Sequence, residues 1–252
     1  MSESLILEVA PASRRPDRTR LASAAPGRRR SGRRDGGATD KFLILGHRGS
    51  PYKERENTVA SFEAALRAGA DGFETDLRLL SDRTAVLYHD DDVGEEPVES
   101  LSSRDVRADP VDALAQFAGR CTMILEVKRA KWEEALLDHI AQWPDIVVAS
   151  FDHRTIAELH RRGVAFPLGL TFLGMIVDVV GYARRLGATW LFPRFQYVDR
   201  ELVDAAHAEG IKVVPWTPNR ERDWERLRAI GADGVITDFP DRAVEWLKSI
   251  SC

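Results

Sequence analysis

The chain has 252 residues and a formal net charge of −4, and 44% of its residues are hydrophobic. This length fits one large domain, and no spacer rich in Gly, Ser or Pro interrupts the sequence after residue 41. No apolar run approaches the roughly 18–20 residues of a membrane span, and no secretory leader pattern is present, which predicts a cytoplasmic protein without a transmembrane segment. The two cysteines, Cys121 and Cys252, exclude a disulfide framework, and Cys121 is expected to be a small core-edge residue.

The first 40 residues differ from the rest in charge. They contain nine arginines and five acidic residues, a net charge of +4, so residues 41–252 carry −8. Because residues 1–40 hold few large apolar side chains, they are predicted to form a disordered Arg-rich extension. The acidic remainder argues against a nucleic-acid partner, although a basic arm that binds RNA or an anionic membrane stays open for the extension.

From residue 41 onward, short apolar runs alternate with helical patterns, which is typical of parallel βα units. Strands are predicted at residues 42–45, 72–77, 122–127, 146–150, 167–171, 189–192, 212–215 and 234–237. Helices are predicted at residues 58–68, 132–142, 154–162, 173–186, 200–208, 220–230 and 242–250. Eight such strands, most without polar alternation, predict an α/β protein whose residues 41–252 form a (β/α)₈ TIM barrel.

One local repeat supports this barrel. Residues 68–76 read AGADGFETD and residues 230–238 read IGADGVITD, each at a predicted helix-to-strand junction. The repeat is interpreted as the same helix-to-strand turn in two similar barrel units. The second and last strands of a closed sheet do not pair directly, because the first strand lies between them.

Reactive side chains cluster where the predicted strands end. In TIM barrels the active site lies at the carboxyl ends of the strands, so residues at these positions are expected to converge on one mouth of the barrel. The candidates are His47, Arg48, Glu74, Asp76, His89, Glu126, Lys128 and Trp216.

Three of these candidates are acids within apolar strands. Glu74 and Asp76 are two residues apart, so their side chains share one face of the strand. Buried paired carboxylates are costly unless a cation joins them, and Glu126 can complete an oxygen site for Mg²⁺ or Ca²⁺. Ion pairs of Glu126 with Lys128 or of Glu74 with Arg78 are the alternative interpretation.

An ordered series of short motifs extends over residues 42–240. The motifs are GHRG at 46–49, ENTVASF at 56–62, GFETDL at 72–77, VLYHD at 86–90, LEVK at 125–128, VPWTPN at 214–219 and GADGVITDFP at 231–240. Each motif alone is weak, but the ordered series resembles the signature of the glycerophosphodiester phosphodiesterases, which have a TIM barrel of the phospholipase C type.

The resemblance implies metal-dependent hydrolysis of a small glycerophosphodiester to glycerol 3-phosphate and an alcohol. It also implies that Glu74, Asp76 and Glu126 bind a divalent cation, Mg²⁺ or Ca²⁺, and that His47 and His89 form the acid/base pair. Such chemistry suits a diester, whose alkoxide leaving group needs charge neutralisation and a proton. The resemblance leaves the oligomeric state and the preferred alcohol open.

Three further residues are expected to bind the substrate. Arg48 and Lys128 are placed to neutralise the phosphate charge, Arg48 through a bidentate fork and Lys128 as a point charge. Trp216 is expected to form a wall of the glycerol pocket, and a packing aromatic at the barrel mouth is an equally good interpretation.

One segment departs from the family pattern. His89-Asp90 is followed by DDVGEEP at residues 91–97, without the Leu-x-Arg-Thr element that family members often carry, so a short lid is expected. A more open mouth leaves a lysophospholipase D reaction on a lipid as the alternative activity. A non-catalytic barrel with a functional basic arm is a further alternative.

Overall fold

The structure is a computed structural model that describes residues 41–250. The predictions for residues 1–40 and for Cys252 lie outside the described residues. Cys121 is buried, and burial raises the pKa of its thiol to about 11, which agrees with the predicted core-edge position. No helix within residues 41–250 is long and apolar enough to cross a membrane.

Eight parallel strands form a nearly closed barrel. The strands are β1 (Leu43–His47), β2 (Gly72–Leu79), β3 (Thr122–Val127), β4 (Ile146–Ser150), β5 (Leu168–Phe172), β6 (Trp190–Pro193), β7 (Lys212–Val213) and β8 (Gly234–Thr237). They lie in the order β7-β6-β5-β4-β3-β2-β1-β8. The Ile236 amide donates to the Pro215 carbonyl at 2.9 Å, and Trp216 bridges to Ile236, so the chain after β7 meets β8 and completes the circuit. The predicted TIM barrel is confirmed.

Seven α-helices cover the barrel. They are α1 (Val59–Arg67), α2 (Glu133–Ile140), α3 (His153–Arg162), α4 (Val179–Arg185), α5 (Arg200–Ala208), α6 (Glu221–Ala229) and α7 (Pro240–Ser249). Polar side chains begin several of them: Thr58, Asp152 and Asp199 each accept a hydrogen bond from a backbone N–H in the first turn.

The predicted helix 173–186 is wrong in its first half. Residues 173–178 form a loop, in which Gly174 has φ = 83°, a left-handed conformation that interrupts a helix. Helix α4 begins only after Asp178, whose carboxylate accepts a hydrogen bond from the Gly181 amide at 3.2 Å. The apolar residues of this loop are spaced like one turn of a helix, but Leu173, Met175 and Val177 are exposed, whereas Ile176 packs against the core.

The connection between β2 and β3 lacks an α-helix. It contains an antiparallel strand (Ala85–Leu87) on β2, a small hairpin (Asp92–Val93 with Glu96–Pro97) and two 3-10 helices (Val98–Ser100 and Val111–Phe117). The second 3-10 helix buries Val111, Leu114 and Phe117 against the barrel, where an α-helix would otherwise pack. The antiparallel strand delivers the segment that carries His89 to the mouth of the barrel.

Successive strand residues face opposite sides, and this divides the core into two layers. The outer layer packs between the sheet and the helices and includes Phe62 and Phe73, whose rings stack at 4.1 Å. The inner layer fills the barrel and includes Leu45, Ile124 and Phe192. Along these strands, the inward-facing side chains are apolar in the middle of the barrel and ionisable near the carboxyl ends.

Candidate active site

A cavity of about 170 Å³ opens at the carboxyl ends of the strands. It is lined by His47, Arg48, Glu74, His89, Ile124, Glu126, Lys128, Ala149, Phe151, Thr171, Phe192, Trp216 and Ile236. Seven of the eight sequence-predicted site residues line it, and the eighth, Asp76, contacts Lys128 and Arg48 behind its wall. The structure therefore brings all eight together.

Strands β2 and β3 place three carboxylates side by side. Asp76 and Glu126 are directly paired in the parallel ladder, and Glu74 lies two residues before Asp76 on the same face. One oxygen from each of the three lies within 4.8 Å of the others, and all three residues are buried. A compact set of oxygen ligands in a buried site fits a divalent cation.

Two cations partly offset this negative charge. The Lys128 ammonium lies 2.6 Å from Asp76 Oδ1 and also pairs with Glu126. On the other side, Arg48 Nε lies 3.3 Å from Asp76 Oδ2, and the Arg48 backbone N–H donates to Glu74 Oε2 at 3.1 Å. Three carboxylates therefore share two cationic side chains.

One of the two ion pairs considered as alternatives to a metal is present. Lys128 pairs with Glu126, whereas Arg78 donates to Asp91 Oδ1 at 2.6 Å and to other acceptors in the loop that follows β2. The Glu74–Arg78 pair is not among the ion pairs of the described residues. Glu74 instead accepts from the Arg48 backbone N–H and lies 4.0 Å from His47 Nε2.

The pKa values of the triad diverge for physical reasons. Burial raises the pKa of Glu74 to about 8, and repulsion from Asp76 adds to the rise. Burial opposes ionisation of Asp76 as well, but the charges of Lys128 and Arg48 outweigh it and lower the pKa of Asp76 to about 2. Burial and Asp76 raise the pKa of Glu126 despite the nearby ammonium. A bound dication would favour the ionised form of Glu74.

His47 lies between the triad and the last strand. Its Nδ1 is 2.6 Å from Asp238 Oδ1, and its Nε2 is 4.0 Å from Glu74 Oε2. Burial alone would lower the pKa of His47, but the Asp238 hydrogen bond and the Glu74 charge raise it above the ordinary value. The ring is thus fixed on one side and presents its other nitrogen to the cavity.

His89 reaches the same cavity from the opposite side. It follows the antiparallel strand, and its Nδ1 is 2.8 Å from Asp90 Oδ1. The side chain is 36% exposed, so solvent and substrate can reach it. Both histidines therefore combine a carboxylate partner at Nδ1 with access to the cavity, as acid/base catalysis requires.

An apolar wall faces the charged residues across the cavity. Trp216 donates from Nε1 to the Phe192 carbonyl at 2.9 Å, and its ring meets that of Phe151 edge to face at 5.5 Å. Trp216 packs on the inner barrel layer and also lines the cavity, and its contact with glycerol stays a prediction.

The apolar wall continues outward to exposed side chains. Phe151 follows β4, and Tyr197 follows β6. The loop after β5 contains Leu173, Met175 and Val177. All five side chains expose much of their surface. Successive parallel strands end at the same face of the barrel, so these residues border one side of the mouth.

Several site contacts were missed at the level of sequence. Asp238 binds His47. Asn219 binds Asp238, and Asn57 binds Asp76. The repeat at residues 68–76 and 230–238 was the available signal, because it places one Thr-Asp pair within β2 and a second at the end of β8.

A sequence model of the "Glycerophosphoryl diester phosphodiesterase family" matches residues 47–134 and 116–242, which together span most of the barrel. The chain belongs to this family. The resemblance seen in the ordered motifs is therefore confirmed, and the eight candidate residues all lie within the matched part.

Curated relatives in the family match over almost their whole length. A glycerophosphodiester phosphodiesterase from Caldanaerobacter subterraneus subsp. tengcongensis is 27% identical over 241 residues, which cover 82% of this chain and 98% of the relative. One from Bacillus altitudinis is 27% identical over 236 residues, which cover 80% of this chain and 96% of the relative.

Solved structures share the fold. A glycerophosphodiester phosphodiesterase from Thermotoga maritima has a TM-score of 0.72 at 24% identity and covers 81% of this chain and 97% of its own. An Oleispira antarctica phosphodiesterase in complex with the product sn-glycerol 3-phosphate has a TM-score of 0.75 at 20% identity and covers 82% of this chain and 96% of its own.

Proposed function

We propose that this protein hydrolyses glycerophosphodiesters to glycerol 3-phosphate and an alcohol with the help of a divalent cation. The observation that carries the proposal is the convergence of three buried carboxylates and two histidines on one cavity. Membership of the family and the names of the relatives support this reaction class, and the product bound by the Oleispira antarctica phosphodiesterase supports the substrate class.

Glu74, Asp76 and Glu126 are the proposed cation ligands. The donor set consists of oxygen atoms alone, which suits Mg²⁺ or Ca²⁺. A cation at this position would neutralise charge on a phosphoryl oxygen and lower the pKa of a bound hydroxyl. Lys128 holds Asp76 and Glu126 from one side, so its ammonium also lies where it can attract the phosphate.

His47 and His89 are the proposed acid/base pair. One histidine accepts the proton of the hydroxyl that attacks phosphorus, which in the family mechanism is the 2-hydroxyl of the substrate. The other donates a proton to the departing alkoxide, so the alcohol leaves neutral and a cyclic phosphate remains for water to open. Arg48 is proposed to bind a phosphate oxygen, and Trp216 to contact the glycerol carbons.

The first test measures glycerol 3-phosphate released from glycerophosphocholine by the purified full-length chain with Mg²⁺, Ca²⁺ or EDTA. Metal-dependent release is expected, and His47→Ala and Glu74→Ala should each abolish it. His139→Ala is the matched control, because His139 pairs with Asp112 at 2.6 Å but does not line the cavity. A folded protein that releases nothing from glycerophosphodiesters of several alcohols would refute the proposal.

The alternatives have less support. The lysophospholipase D reaction is not favoured, because the named relatives are glycerophosphodiester phosphodiesterases. A non-catalytic barrel would not need two histidines, three carboxylates and two cations around one cavity. The cytoplasmic location, the disordered extension and the lack of a nucleic-acid partner stay predictions.

A further inference from the structure

The same hydrogen-bonded unit occurs twice at the mouth of the barrel. In the first copy, Asn57 Oδ1 accepts from Thr75 Oγ1 at 2.8 Å and from the Asp76 amide at 3.2 Å. Asn57 Nδ2 donates to Asp76 Oδ2 at 2.8 Å. One asparagine thus holds both the backbone and the carboxylate of Asp76, which lies within β2.

The second copy is built from Asn219, Thr237 and Asp238. Asn219 Oδ1 accepts from Thr237 Oγ1 and from the Asp238 amide, each at 3.0 Å, and Asn219 Nδ2 donates to Asp238 Oδ2 at 2.6 Å. The residues are also 18 and 19 positions apart in both copies. The two units therefore make the same bonds with the same atoms.

The two copies differ in what the second carboxylate oxygen binds. Asp76 Oδ1 binds the Lys128 ammonium beside the proposed cation ligands. Asp238 Oδ1 instead lies 2.6 Å from His47 Nδ1. An ionised carboxylate can only accept hydrogen bonds, so the shared proton belongs to His47 Nδ1, and in the neutral ring Nε2 is left without a proton.

We propose that Asn219 and Asp238 are positioning residues that hold His47 in the Nδ1–H tautomer with Nε2 toward the substrate. The proposal rests on the proposed function for its catalytic consequence, but the tautomer itself is a property of the protein. Asn219 fixes Asp238 Oδ2, which leaves only Oδ1 for the histidine and sets the orientation of the ring. The unit that orders the Asp76 carboxylate on β2 thus also occurs after β8, where it orders His47 of β1 through Asp238.

The direct test is nitrogen NMR of the histidine rings in the full-length protein, at alkaline pH where the ring is neutral. The wild type is expected to show His47 with a proton on Nδ1. Asp238→Asn keeps the shape and can still accept from Asn219, but its amide donates to Nδ1 and should move the ring proton to Nε2. A wild-type Nε2–H tautomer, or no change in the variant, would overturn the proposal.

Kinetics provides a second readout. Asp238→Asn is expected to lower kcat by about 10²–10⁴-fold, by analogy with a catalytic histidine forced into the wrong tautomer, with KM changed much less. Asn219→Ala should lower kcat by roughly 10-fold, as is typical when a supporting hydrogen bond is removed. Because Asn219 acts through Asp238, the double variant should be no slower than Asp238→Asn, and multiplied losses would contradict this.

Asn57→Ala is the matched control, since it removes the equivalent asparagine from the other copy. It is expected to weaken activation by Mg²⁺ while the His47 tautomer stays unchanged, whereas Asn219→Ala should leave the metal activation constant unchanged. Thermal unfolding of each variant shows that the chain is folded. If the wild type is inactive but Asp238→Asn changes the His47 tautomer as expected, only the proposed function is refuted. If the wild type is active but Asp238→Asn changes neither the tautomer nor kcat, only the positioning role is refuted.

Discussion

The surroundings of Glu74 disfavour its ionised form. It is 5% exposed, and burial together with the neighbouring Asp76 raises its pKa to about 8. Glu74→Gln removes the carboxylate proposed to bind the cation and puts a neutral amide where the metal-free protein holds a protonated carboxyl. The variant should therefore unfold at the same or a higher temperature than the metal-free wild type, while its metal affinity falls by at least about 100-fold, the upper cost of losing a supporting residue. Titration calorimetry with Mg²⁺ or Ca²⁺ measures the affinity, and unchanged binding would exclude Glu74 as a ligand.

The raised pKa of Glu74 also makes stability depend on pH. The folded protein holds a proton on this carboxyl up to about pH 8, whereas the unfolded chain releases it near the ordinary value of 4.5. The resulting stabilisation is complete below pH 4.5 and is lost as pH rises through 8. Urea unfolding in EDTA between pH 5 and 8 should show this loss, and saturating Mg²⁺ or Ca²⁺ should reduce it.

Glu74→Gln is the control for this pH dependence. The amide does not titrate, so the contribution of this group should vanish, although the raised pKa of His47 acts in the same direction and leaves a smaller slope. A metal-free wild type whose stability is flat or rises from pH 5 to 8 would contradict the expected protonation of Glu74.

The residues of the site were predictable where a strand fixes their direction. Glu74, Asp76 and Glu126 could be assigned to one face because strand side chains alternate. The partner of His47 could not, since Asp238 lies 191 positions away and meets it only when β8 pairs with β1. The sequence contained Asp238 within a repeat, but the repeat alone does not show which histidine an aspartate contacts.

β2 requires glycine at position 72 because the backbone of the neighbouring strand approaches this residue closely. A Cβ on Gly72 would lie 1.8 Å from the backbone oxygen of Thr122, the residue paired with it on β3. A Cβ on Gly169 in β5 would meet Phe192 at 2.4 Å, but there the clash is with a side chain. Gly72→Ala should therefore cost about 3 kcal/mol or more, and Gly169→Ala about 1–3 kcal/mol.

Chemical denaturation of the two alanine variants tests this difference. Thr122 cannot withdraw without disturbing the β2–β3 pairing that carries Asp76 and Glu126, whereas the Phe192 ring can rotate. Equal losses of stability in the two variants would mean that the backbone of the sheet shifts as easily as a side chain does. Gly72→Ala should also weaken metal binding, since the paired carboxylates lie on the same two strands.

Element prediction succeeded where hydrophobic pattern and caps agree. The bounds of β3, β4, β8 and α5 were predicted correctly, and the other barrel elements were shifted by a few residues. In the connection between β2 and β3, the 3-10 helices and the two-residue strands were not predicted, because such elements are too short to produce a periodic pattern. The loop before α4 was misassigned because Leu173, Ile176 and Val177 are spaced like a helix face, although Leu173 and Val177 are exposed.

Closure of the barrel assembles the site from distant parts of the chain. Strand β1 pairs with both β2 and β8, so it places His47 between Glu74 of one neighbour and Asp238 of the other. Loss of the β1–β2 pairing would separate His47 from Glu74, and loss of the β1–β8 pairing would separate it from Asp238. Ligands that contact several strand ends at once should therefore stabilise the whole barrel.

A divalent cation together with sn-glycerol 3-phosphate is expected to raise the thermal unfolding temperature. At 100 times the dissociation constant, a ligand that binds only the folded state adds about 2.7 kcal/mol of stability. For a domain of this size that corresponds to a shift of roughly 5–11 °C. Without the cation, Lys128 and Arg48 stay paired with Asp76 and no further positive charge from a metal faces the phosphate, so the product alone should shift the midpoint little. Differential scanning fluorimetry of wild type and Glu126→Gln, with and without EDTA, measures the coupling, and an equal shift in EDTA would show that the phosphate binds elsewhere.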